Sequence, residues 1–177
     1  LFFFRFGTFS LSILYLLNNF KIFKKFFCFS LLFCFCLLTL DGFIQYFFGN
    51  NIIGIPYTEN RVSSFFGDEK ILGSYLSRLF PLLIGLLIVN NFNKKITFYI
   101  ILFIFISIDI LIFLSGERSA FFYLLLSTFL FIILMNNFKI VRIAALIIST
   151  IIILFISINY PQVKGRMIDK TISQLNI

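Results

Sequence analysis

The sequence predicts an all-α integral membrane protein, and three observations carry that prediction. Mean hydropathy is +1.06. Hydrophobic residues make up 60% of the chain and charged residues 12%, far from the balance of a soluble domain. The apolar residues gather in long runs, several of them near the roughly 20 residues a helix needs to cross a bilayer. None of the runs alternates polar with apolar residues as a barrel strand does, so each reads as a helix.

Taken in order, the expected spans are about 2–17, 26–40, 71–90, 96–114, 120–135 and 143–160. The second and fifth are short, and we expect them to extend toward Gln45–Phe48 and back to Ser115. The chain opens inside an apolar run at Leu1, without a basic leader or a small-residue cleavage site. It ends in a polar tail, 161–177, and the chain reads as a fragment, truncated at least at its start. No repeat of fixed period is present.

Composition also removes several functions. Histidine is absent, which takes away the commonest general base and the commonest metal ligand. The 29 phenylalanines read as AT-rich coding bias, because lipid accepts Phe wherever it accepts Leu. The formal charge is +8, but the basic residues are scattered between apolar spans, so no nucleic-acid partner is expected. Cys28, Cys34 and Cys36 fall in one span and read as small hydrophobes rather than a disulfide or metal set.

The connections divide into two sides. Segments 18–25, 90–95 and 136–142 hold Lys21, Lys24, Lys25, Lys94, Lys95, Lys139 and Arg142, with no acid. Segments 41–70, 115–119 and 161–177 are more sparsely basic, although the tail carries Lys164, Arg166 and Lys170. The positive-inside rule therefore puts the first set in the cytoplasm and the second outside. The external segment 41–70 is punctuated by Asp41-Gly42, Gly49-Asn50-Asn51 and Gly54-Ile55-Pro56, all turn-forming. It carries interface-type aromatics and closes on RVSSFFGDEK, residues 61–70.

Charges gather near that outer side. Arg78 and Asp109 each lie within a span, where a charge costs several kcal/mol unless it is paired or hydrated, so they are expected either to pair or to serve a ligand. Ser74, Ser77, Arg78, Pro81 and Gly85 follow helical spacing, a stripe expected to face protein or water. Asp68 is placed to cap the third helix, with Glu69 in its first turn. Ser115 and Glu117 are placed to serve the start of the fifth. Arg61 and Arg118 each sit near a helix N-terminus, where the dipole opposes a cation, so an anion is expected for both.

Arg61-Val62-Ser63-Ser64-Phe65-Phe66-Gly67-Asp68-Glu69, running into Gly73-Ser74-Tyr75-Leu76, resembles the external Arg–Ser–Gly–aromatic segment of the bacterial O-antigen polymerase and O-antigen ligase family. Leu114-Ser115-Gly116-Glu117-Arg118-Ser119-Ala120 is similar to that family's Ser/Thr–Gly–Ser–Arg–Ser–Ala turn, and 41–54 resembles the segment preceding the arginine motif in polymerase-like members. Ser64 stands where glycine is common, and Glu117 where serine is common.

The resemblance implies a GT-C-like helical bundle with periplasmic loops, multi-pass in the bacterial inner membrane. It implies an inverting glycosyltransferase that uses no metal and no cofactor. Its donor would be an undecaprenyl-pyrophosphate-linked oligosaccharide, polymerised or ligated at the periplasmic face alongside other polysaccharide-assembly proteins. Arginine suits that chemistry: a pyrophosphate takes forked donors that keep their charge, and fixed guanidinium groups stabilise the leaving group as it gains charge. Arg61, Arg118 and Arg78 are the candidate binding residues. Asp68, Glu69 and Glu117 are the candidate bases, unless the base lies beyond this stretch of chain. Two other classes stand beside it: a transporter or flippase of lipid-linked glycans, in which the same arginines guide an anionic headgroup, and a noncatalytic membrane scaffold, which makes no demand for Arg61 and Arg118. A transporter calls for polar residues through the depth of several spans, whereas charge here concentrates at one side.

Overall fold

A computed structural model of the chain describes residues 2–58, 60–89, 94–134, 139–159 and 165. These form six α-helices: α1 Phe2–Asn19, α2 Lys21–Phe48, α3 Leu72–Val89, α4 Lys94–Leu114, α5 Arg118–Leu134 and α6 Lys139–Asn159. A 3₁₀ segment, Ser64–Glu69, precedes α3, and two isolated β-bridges are the only extended pairing among the described residues. Two helical stretches, Ile22–Phe48 and Lys139–Asn159, are long and apolar enough to cross a membrane, which supports a membrane protein. Shorter apolar stretches run along α3, α4 and α5.

α2 differs most from its expected extent. Asp41-Gly42 does not turn the chain; the helix continues through both residues to Phe48. Gly42 is needed inside it for close approach, because a Cβ there would lie 2.7 Å from Cδ1 of the fully buried Leu111 on α4. The helix stops at Gly49, which adopts φ 82° and returns its N–H to the Gln45 carbonyl at 3.0 Å, a left-handed cap that favours glycine. The loop expected over 41–70 thus begins near residue 49. At 28 residues α2 is about 42 Å long, more than a hydrocarbon core requires.

α6 packs chiefly on α4, and α3 on α5. Phe80, Leu83, Phe105, Ile108, Leu111 and Leu124 fill the centre. Into this apolar core runs the side chain of Arg142, which is fully buried. The expectation that Arg142 is a cytoplasmic surface charge is therefore corrected. It lies in the first turn of α6, on the same face as Ala145 and Ser149, and that face is buried.

Its guanidinium makes a two-pronged pair with Asp109 (Nη1–Oδ2 2.8 Å, Nη2–Oδ1 3.0 Å), and Nε donates to the Thr128 hydroxyl at 3.1 Å. Ser149 donates to Asp109 Oδ2 at 3.0 Å. The rings of Phe80 and Phe105 lie 5.0 and 5.2 Å from the guanidinium carbon, cation–π contacts that enclose it. The expected partnership of Arg78 with Asp109 is thereby overturned, because Asp109 is taken by Arg142 and Arg78 is exposed on α3. The expected α3 stripe also divides: Ser77 is buried, while Arg78 and Pro81 face outward.

Candidate functional site

The end of α2, the start of α3, the end of α4 and the start of α5 meet at one end of the bundle. Two side chains on α2, Asp41 and Gln45, are one helical turn apart and fully buried. Gln45 Oε1 accepts the N–H groups of Ser63 (2.9 Å) and Ser64 (2.7 Å), and its amide donates to the Ile55 and Pro56 carbonyls at 3.3 Å. Asp41 accepts the Ser64 hydroxyl at 2.5 Å, the Ile52 N–H at 2.9 Å and the Asn51 amide at 3.3 Å. Asn51 organises the loop itself, its Oδ1 accepting from Ile53 (3.0 Å) and Ile55 (2.7 Å).

This cradle holds a strained segment. Asn60, Ser64 and Lys70 all have positive φ (56°, 52° and 47°), a conformation that costs a non-glycine residue energy and persists only where its surroundings over-determine it. Ser64 holds its left-handed backbone with its hydroxyl donating to Asp41. Ser64→Ala keeps the strain and loses that bond, so it should destabilise the protein by about 1–3 kcal/mol. Ser64→Gly relieves the strain while losing the same bond and should cost clearly less. Thermal unfolding of both variants in detergent checks the order; equal losses would remove the strain from the account.

Arg61 sits at the start of the same segment with 16% of its side chain accessible. Nε donates to the Ser115 carbonyl at 2.8 Å and Nη2 to the Lys70 carbonyl at 3.0 Å. Beside these bonds, Val62 N–H donates to the Leu114 carbonyl at 3.1 Å. The two motif segments, 61–70 and 114–118, are thus stitched together, and Arg61 is chiefly a brace between them.

Glu117 completes the junction. Its carboxylate accepts the N–H groups of Gly73 (2.8 Å) and Ser74 (3.1 Å), together with the Ser74 hydroxyl, and lies 3.9 Å from Arg61 Nη2. Glu117 therefore caps the N-terminus of α3 from the neighbouring turn. This corrects two expectations: Asp68 does not cap α3, and the Glu117 side chain serves α3 rather than its own helix. Ser115 does serve the turn into α5: its hydroxyl donates back to the Ile112 carbonyl at 2.7 Å, and the same oxygen accepts the Glu117 N–H at 3.4 Å, one residue before the helix. Gly73 permits the close approach, because a Cβ there would collide with the Ser115 hydroxyl and lie 3.1 Å from the Glu117 carboxylate.

Asp68, Glu69 and Arg118 are all exposed at this end. Arg118, the first residue of α5, directly follows the turn that Arg61 braces. Glu117, with 9% of its side chain accessible, is already engaged by four donor groups, counting Arg61, and is a positioning group more than a base. Burial, with Tyr46 as a lesser cause, pushes the Tyr57 phenol up to about 12, so it stays protonated at neutral pH. No three His, Cys, Asp or Glu side chains gather as a metal-binding group among the described residues. Lys164, Arg166 and Lys170 of the tail, and its expected external placement, lie outside the described residues.

The sequence reading missed Asp41, Gln45 and Asn51. The signal was present, as two polar residues at i and i+4 late in an apolar run. Compared with protein-family models, with curated proteins and with solved structures, the chain matches none.

Proposed function

We propose that the chain forms a multi-pass membrane glycosyltransferase of the O-antigen polymerase and ligase type, acting on undecaprenyl-pyrophosphate-linked glycans at the periplasmic face. The observation that carries the proposal is the junction of 61–74 with 114–118, where Arg61, Glu117, Gly73 and Ser74 join two segments distant in sequence. These are the segments that resemble the family's motifs. On this reading six helices cross the inner membrane. Lys24, Lys25 and Lys139 belong to the opposite, cytoplasmic end, consistent with the positive-inside rule.

The residues take distinct parts. Arg118 holds the donor pyrophosphate with its planar fork and stabilises the charge that grows there as the glycosyl bond breaks. Arg61 and Glu117 fix the turn that presents Arg118. Asp68 and Glu69 are the exposed carboxylates available to take the proton of the acceptor hydroxyl.

The test is transfer itself. Right-side-out vesicles carrying the full-length protein, given an undecaprenyl-pyrophosphate-linked oligosaccharide outside, should yield longer or transferred glycans and release undecaprenyl pyrophosphate. Chelation of divalent metals should leave the yield unchanged. Donor movement across the membrane with no new glycosidic bond would replace the proposal with the transporter reading.

A further inference from the structure

α3 and α5 line an open groove of about 200 Å³. Pro81, Ile84 and Gly85 form one wall, and Ser127 and Leu130 the other. Its floor includes Phe80, the ring that covers the buried Arg142 guanidinium. The groove is open at the outside of the bundle, where two of its lining residues, Pro81 and Leu130, are exposed. A Cβ built on Gly85 meets nothing within 4 Å, so the space beside it is open.

Arg78 precedes Pro81 by three residues and Gly85 by seven, so it lies on the same face of α3 on the side toward the external end. It is exposed and makes no ion pair among the described residues. At six residues into α3 it sits about 9 Å below the helix start. A guanidinium at that depth of a span costs several kcal/mol unless an anion meets it, and its long stem can lift the charge toward the interface.

We infer that this groove seats one acyl chain of an anionic bilayer phospholipid whose phosphate meets Arg78. The inference rests on the membrane-spanning reading of α3 and α5, and not on the transfer chemistry. The charge selects an anionic head, and the planar fork of arginine matches a phosphate. Along α3 the groove runs from Phe80 to Gly85, about 7.5 Å, which holds a stretch of a single chain.

The experiment compares the full chain in nanodiscs of phosphatidylcholine alone and with phosphatidylglycerol added, and counts phospholipid retained after detergent extraction by native mass spectrometry. Phosphatidylglycerol should be retained by the wild type and raise its Tm. Arg78→Gln should lower retention about tenfold or more, and Arg78→Lys should keep part of it. Gly85→Leu and Ser127→Leu, which fill the groove from its two walls, should each reduce retention while the protein still folds. Equal retention in the wild type, Arg78→Gln and the filled variants would overturn the proposal. So would retention of a polyprenyl phosphate in place of phospholipid. Release of the wild type from membranes by alkaline carbonate would overturn the membrane-spanning reading together with the lipid site, a failure separate from loss of lipid selectivity alone.

Discussion

Asp109→Leu should cost the folded protein about 3–5 kcal/mol, because it leaves the Arg142 guanidinium uncompensated in an apolar core. Arg142 is fully buried and Asp109 is 2% accessible, so water cannot replace the missing partner. Thr128 and Ser149 are neutral and cannot balance the charge that remains. Arg142→Met should be similarly damaging for the carboxylate left behind. The double variant should recover most of the loss, since apolar residues of similar volume often replace a buried ion pair at little cost. Pairing Arg78→Asp with Asp109→Arg should recover nothing, as these two are not partners. Thermal unfolding and monodisperse yield in detergent measure all four variants. Recovery by the Arg78 swap, or none by the double apolar variant, would contradict the geometry described for α4 and α6.

Glu117→Ala should have the next largest effect on stability, about 2–3 kcal/mol, because it strips a charged acceptor from the N-terminus of α3. Gly73 and Ser74 would then present unmet N–H groups at a junction with little access to water. Glu117→Gln keeps one acceptor oxygen and should lose about half as much. Asp68→Asn and Glu69→Gln, both exposed, should stay within about 0.5 kcal/mol of the wild type. The contrast separates the carboxylate that builds the site from the two that face outward. Equal sensitivity at all three positions would remove Glu117 from its role as a cap in trans.

The helical class was legible because long apolar runs leave the backbone no other way to satisfy its N–H and C=O groups in lipid. The breaks at Gly49 and Ser115-Gly116 were legible as well, since left-handed caps and tight turns select those residues. Partnership was not. Arg142 lies only three residues into α6, and whether its side chain runs outward or into the core depends on how α6 meets α4. Likewise the cap of α3 comes from Glu117, 43 and 44 residues beyond the N–H groups it accepts, where local capping rules select Asp68. Asp41-Gly42 has the composition of a turn, yet packing against Leu111 and the demand of Ser64 for an acceptor keep it helical. Each of these departures concerns a charge or a small residue recruited by a distant segment, which spacing along one helix does not encode.

The central claim is that Arg118, presented by the braced turn, holds the pyrophosphate of a lipid-linked donor. The direct measurement is the rate of glycan transfer by the full-length protein carrying Arg118→Lys, normalised to the amount inserted in the membrane. Lysine keeps the charge and loses the planar fork, and Arg118 is exposed, so the variant should fold and insert as the wild type does. Loss of one charge-assisted contact, about 1.5–3 kcal/mol, corresponds to a rate about 10- to 150-fold lower. Transfer at the wild-type rate by Arg118→Lys would contradict the claim.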